Sequence, residues 1–81
     1  MINIVFFASL RETLGTGTVQ WPAGAGDIRT LSAQLQAQGE PWQSALARAD
    51  LLCARNQQLC TLSESISDGD EIAFFPPVTG G

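Results

Sequence analysis

Residues 68–81 read DGDEIAFFPPVTGG, and the rest of the chain organises around them. Asp68-Gly69 is a turn signal. Asp70 to Phe75 then alternates as a strand, with Ile72 and Phe74 on one face and Glu71, Ala73 and Phe75 on the other. Pro76 and Pro77 remove two backbone donors and fix φ, so strand pairing stops there. The residue before a proline is biased to extended geometry, so the chain should leave the domain stiff and pointing outward. This divides the protein into a domain at 1–75 and an extended tail at 76–81. At about 3.3–3.6 Å per residue the tail reaches ~20 Å. Gly80 and Gly81 carry no side chains, so the end can thread a narrow channel.

A strand that ends the chain needs a neighbour, and the opening segment supplies one. Ile2 to Ala8 alternates with Ile2, Ile4, Phe6 and Ala8 on one face and Asn3, Val5 and Phe7 on the other. Ser9 and Glu12 have capping-box spacing for a short helix that Gly15 ends. Thr18 to Trp21 reads as a second strand, antiparallel to the first. The main helix begins at an Asp27 cap, repeats Ile28, Leu31 and Leu35 on one face, and stops at Gly39. A short helix from Pro41 offers Trp42, Ala45, Leu46 and Ala49. Leu51 to Arg55 and Leu59 to Leu62 are strands about an Asn56-Gln57 turn.

This order places one main helix over a mixed sheet of about five strands, with short extra helices, an α+β arrangement. Its most economical form sets the first and last strands side by side in the centre, the β-grasp layout. Ile2, Ile4, Phe6, Ile72 and Phe74 then face Ile28, Leu31 and Leu35. Phe7 and Phe75 fall by parity on the uncovered face with Val5. Either a partner docks on them, or a loop or the 40–50 segment folds across them.

Composition narrows the function. The chain has 81 residues, formal net charge −4, 44% hydrophobic content and no histidine. One small domain of this length buries roughly 60–65% of its unfolded surface. That leaves little for a private substrate cavity and favours a carrier, binding module or subunit. Without histidine, and with only two cysteines, neither a metal set of usual spacing nor a Ser/His or Cys/His pair is available. Four scattered arginines against eight carboxylates do not make a phosphate-tracking surface, so nucleic acid is not an expected partner. A basic docking face is. No run approaches a membrane span, and the N-terminus lacks a signal-peptide pattern. The expected compartment is the cytoplasm, where Cys53 and Cys60 are reduced thiols, read as small core residues with a redox or sulfur-accepting role as the alternative.

A terminal Gly-Gly on a rigid Pro-Pro spacer beside an aromatic patch suits chemistry on the α-carboxylate itself. A carboxylate is a poor acyl donor. Adenylation by a partner supplies AMP as leaving group, and a sulfur nucleophile then leaves a thiocarboxylate or thioester. Gly81 would react, and Gly80 would give clearance.

Over its whole length the sequence resembles the MoaD family, the small sulfur-carrier subunits of molybdopterin synthase. The resemblance rests on IVFFASLRE at residues 4–12, the Asn56-Gln57 turn and the block at 68–81. It implies a ubiquitin-like β-grasp fold and a flexible tail. It also implies a MoeB-type enzyme that adenylates Gly81 with ATP and magnesium, and conversion of the adenylate to a thiocarboxylate. The tail would enter a large MoaE-type subunit, within a heterotetramer, and pass sulfur to cyclic pyranopterin monophosphate. By the same resemblance Gly81 and Gly80 match the reacting terminus. Phe7, Leu59 and Phe75 match hydrophobic partner contacts, and Arg11 a polar position of the opening block. Pro76, Pro77, Val78 and Thr79 join the contact set as the tail's lead-in. No cofactor or metal is expected on this chain. Alternatives are a carrier for thiamine thiazole synthesis, a ubiquitin-like modifier, or a β-grasp interaction module whose tail does no chemistry. The chain contains no lysine, which argues against a chain-forming modifier.

Overall fold

The computed structural model describes residues 1–77. Its elements are β1 (Ile2–Phe6), α1 (Ser9–Leu14), β2 (Thr18–Trp21), α2 (Ile28–Gln36), α3 (Trp42–Leu46), β3 (Leu52–Arg55), β4 (Gln58–Cys60) and β5 (Glu71–Phe75). They form a five-stranded mixed sheet of order β2-β1-β5-β3-β4, the β-grasp arrangement. β1 and β5 pair in parallel at the centre, with Ile4 opposite Ile72 and Phe6 opposite Phe74. β2 and β3 flank them antiparallel, and β4 completes the edge.

The core is built by the two expected periodicities. Ile2, Ile4, Phe6, Ile72 and Phe74 from the sheet and Ile28, Leu31 and Leu35 from α2 are fully buried. At about 1.5–3 kcal/mol per large apolar side chain, this face provides most of the favourable burial. Phe6 stacks on Phe74 with ring centroids 6.1 Å apart, and Trp42 meets Phe6 edge-on at 5.7 Å. Asp27 caps α2, its Oδ1 accepting from the Thr30 N–H at 2.8 Å. Gly15 closes α1 in the left-handed region, at φ 75°.

The structure corrects several local expectations. β1 ends at Phe6, and Ala8 is exposed rather than on the core face. The Ser9/Glu12 capping box is absent: the cap residue is Ala8, and no side chain caps α1. The Leu10 N–H bonds to the Phe7 carbonyl at 3.2 Å around Ala8 at φ 55°, ψ −132°. That is a type II′ turn, and it moves the cap one residue ahead of Ser9, so that the helix starts at Ser9 itself. Pro41 stands just before α3, whose last helical residue is Leu46, so Ala49 lies beyond the helix and is exposed. β3 starts at Leu52 rather than Leu51, and β4 spans only Gln58–Cys60, without Leu62. α1 and α3 also contribute Leu10, Ala45 and Leu46 to the core, so α2 does not cover it alone.

Candidate functional site

The sheet face opposite the helices is left open. The 40–50 segment packs into the core through Ala45 and Leu46, so it does not cover Phe7 or Phe75. Phe7 is 49% exposed and Phe75 half-buried, and their rings meet edge-on at 6.4 Å. The type II′ turn at Ala8 helps aim Phe7 outward. The Phe7 N–H still bonds to the Phe74 carbonyl at 3.2 Å, which holds the ring beside β5.

Register extends this patch across the sheet. Val5 opposes Ala73, Ala73 opposes Ala54, and Ala54 opposes Leu59, a straight row over four strands. The two alanines make a low floor between the aromatic rim and Leu59, which is 72% exposed. Val5, Phe7, Ala54, Ala73 and Phe75, with Gln57 and Glu71, line a trough with a volume near 310 Å³, and Leu59 stands outside it. Leu52, across from Phe75, adds a further exposed apolar side chain. Sequence reasoning reached Phe7 and Phe75 by parity and Leu59 by resemblance. It missed Leu52 and the alanine floor, because no local pattern brings β3 and β4 alongside β5.

The root of the tail continues from this rim. β1 and β5 are parallel, so Phe7, Phe75 and Pro76 share one end of the sheet. Arg11 belongs to the same end: its exposed side chain crosses Gly17, whose carbonyl accepts from the Phe6 N–H. A Cβ at residue 17 would lie 2.7 Å from Arg11 Nε, so the glycine leaves room for that guanidinium. Pro76 and Pro77 are half-buried. Val78, Thr79, Gly80 and Gly81 lie outside the described residues.

A polar junction unread in the sequence braces the opposite end of β5. The Asp70 carboxylate accepts from the Ser67 N–H at 2.8 Å, Asn56 Nδ2 at 3.1 Å and Arg55 Nε at 2.8 Å. Arg55 Nη1 also donates to Glu64 at 3.2 Å. The Ser67 amide first, then Asn56 and Arg55, hold the Asp70 carboxyl below its ordinary value. Asn56 and Gln57 both have positive φ, the two-residue hairpin turn that orients Asn56 toward Asp70. Among the described residues, no three metal-ligating side chains cluster, and no helix is long and apolar enough to cross a membrane.

Comparison with known proteins places this geometry. A sequence profile of the ThiS family matches residues 4–81. The molybdopterin synthase sulfur carrier subunit of Escherichia coli (strain K12) is 43% identical over 81 residues, covering all of both chains. Among solved structures, SAMP1 from Haloferax volcanii superposes with a TM-score of 0.77 at 26% identity, over 99% of this chain and 98% of that one. The complex of subunits 1 and 2 of molybdopterin-converting factor from Helicobacter pylori 26695 contains a chain with TM-score 0.71 and 28% identity, over 99% and 97%. By the extent of the family match and end-to-end identity to a curated relative, this chain belongs to the ThiS family, among the small sulfur-carrier subunits of molybdopterin synthase.

Proposed function

We propose that this chain carries sulfur on its C-terminal carbonyl carbon for assembly of the molybdenum cofactor. In this reading a MoeB-type partner binds the trough and adenylates Gly81 with ATP and magnesium, releasing pyrophosphate. A sulfur nucleophile then displaces AMP and leaves a thiocarboxylate. The loaded chain docks the same aromatic face on a large MoaE-type subunit, and Gly80 and Gly81 enter its active site. There sulfur passes to cyclic pyranopterin monophosphate and the carboxylate is regenerated. The carrier supplies cargo and positioning, while the large subunit supplies the catalytic groups of the sulfurtransferase, a cytoplasmic heterotetramer.

The observation that carries the proposal is the open sheet face whose apolar row runs from Leu59 across Ala54 and Ala73 to the Phe7 and Phe75 rim and ends where the tail leaves. Docking there fixes the tail's root, and ~20 Å of extended tail, ending in two residues without side chains, then delivers the terminus. Phe7, Phe75 and Leu59 act as anchors, Pro76 and Pro77 as a stiff lead-in, and Arg11 as a charged contact at the rim. Val78 and Thr79 follow as further partner contacts. The relative in the Helicobacter pylori complex is one half of a two-subunit assembly, which supports a large-subunit partner.

Reconstitution tests the reading. Purified chain, adenylating enzyme, ATP, magnesium and a sulfur source should shift the intact mass by one sulfur-for-oxygen exchange. The loaded chain plus a large subunit should convert the pterin precursor. One extra residue after Gly81 should abolish loading without altering the fold. Normal loading of that variant would refute the channel, and isopeptide conjugates to target lysines would identify a modifier instead.

A further inference from the structure

The helix-covered side of the sheet carries a feature that the docking face does not use. Cys53 and Cys60 are opposed residues of the β3–β4 hairpin, and both are free thiols. Their sulfurs stand 4.0 Å apart, and Cys53 Sγ lies 3.4 Å from the Cys60 carbonyl. Cys53 is buried against the core, while Cys60 is half-buried. Cys60 lines an open cavity near 300 Å³ together with Arg55, Gln58 and Glu64.

We propose that Cys53 and Cys60 form a two-thiolate site for a soft monovalent d10 cation, of the Cu(I) or Ag(I) class. Thiolate donors select such ions. With metal–sulfur bonds of about 2.3 Å, a 4.0 Å separation corresponds to an S–M–S angle of roughly 120°. Opening the sulfurs to about 4.6 Å, a few tenths of an ångström of movement each, makes the arrangement linear. Binding releases the two thiol protons and leaves a bis-thiolate of net charge −1. Arg55 and Glu64, on the wall of the entry cavity, are already paired with each other, and Arg55 also with Asp70, so the bound ion's own charge is what offsets the two thiolates.

The same geometry disfavours a disulfide. Arg55 and Gln58 flank a two-residue turn and so form the hydrogen-bonded pair that closes the hairpin. Pairs alternate along an antiparallel ladder, which makes Cys53 and Cys60 a hydrogen-bonded pair as well. Cβ atoms in such pairs stand near 5.5 Å, whereas a disulfide needs about 3.8 Å. The sulfurs would also have to close to about 2.05 Å. Two donors alone leave Zn(II) undercoordinated, since it takes four ligands in structural sites.

The test uses the reduced full-length chain under anaerobic conditions with Ag(I), in competition with a thioether chelator. Native mass spectrometry should find one ion per folded chain, retained through gel filtration. Both thiols should then resist alkylation, and Zn(II) should not be retained. Cys60→Ser, at the half-buried position, should bind at least about 100-fold more weakly. Cys53→Ser should do the same if it folds. Equal retention by Cys60→Ser, no retention by the wild type, or binding only with loss of the native circular dichroism would overturn the site.

Discussion

Replacing Phe74 and Phe75, one at a time, by alanine separates core from docking surface at adjacent residues. Phe74 is fully buried and stacked on Phe6. Its removal should cost about 3–5 kcal/mol. For a chain of 81 residues total stability is about 4–12 kcal/mol, so Phe74→Ala should be strongly destabilised yet stay folded except at the low end of that range. Phe75 is half-buried and packs edge-on against Phe7. Such a pair contributes about 0.5–1.5 kcal/mol, and with partial ring burial the whole loss should be about 1–2 kcal/mol. Urea unfolding followed by fluorescence of Trp21 and Trp42 reads both values. The variants should differ by about 1–4 kcal/mol, and each kcal/mol in a domain this size is roughly 4–8 °C in Tm. In binding to the large subunit, Phe75→Ala should lose about 2 kcal/mol, about 30-fold in Kd, as a central aromatic anchor does. Equal destabilisation by the two substitutions would refute the assignment of faces. Undiminished binding by a folded Phe75→Ala would refute the docking surface.

Leu59→Ala should leave stability within about 0.5 kcal/mol, because that side chain is 72% exposed, yet weaken large-subunit binding roughly 5-fold; isothermal titration checks this. Asp70→Asn should destabilise at neutral pH and flatten the acid limb of stability. The folded Asp70 carboxyl lies below its ordinary value of 3.8, so its contribution is complete above that value and lost as pH falls through the lowered one. Urea midpoints measured from neutral pH downward should show a shallower decline in the variant, and an unchanged acid limb would contradict the junction at Asp70. Ala8→Gly should raise stability by about 0.5–2 kcal/mol, since relief of strain at φ 55° exceeds the added chain entropy; thermal unfolding tests the sign.

Some of this molecule is written locally. The repeat of Ile28, Leu31 and Leu35 marks the covering helix, and the alternation of Ile2, Ile4 and Phe6 marks a strand with one buried face. Parity alone separates Phe74 from Phe75 and Phe6 from Phe7. Less legible was the start of α1, where a type II′ turn overrides the Ser9/Glu12 spacing and Ala8 takes the cap position without a capping oxygen. The role of the 40–50 segment was equally hidden, since a five-residue helix can pack on either side of a sheet.

The sequence by itself therefore determined the buried faces of the first and last strands and of the covering helix, because alternation and helical period act within a few residues. Only the tertiary structure decided that Val5, Ala73, Ala54 and Leu59 share one row, that Arg55 and Asn56 meet Asp70, and that Cys53 faces Cys60. Those meetings depend on strand register between segments far apart in the chain. A slip of one residue in any pairing would send each side chain to the other face, so the choice rests on the assembled core rather than on any local pattern.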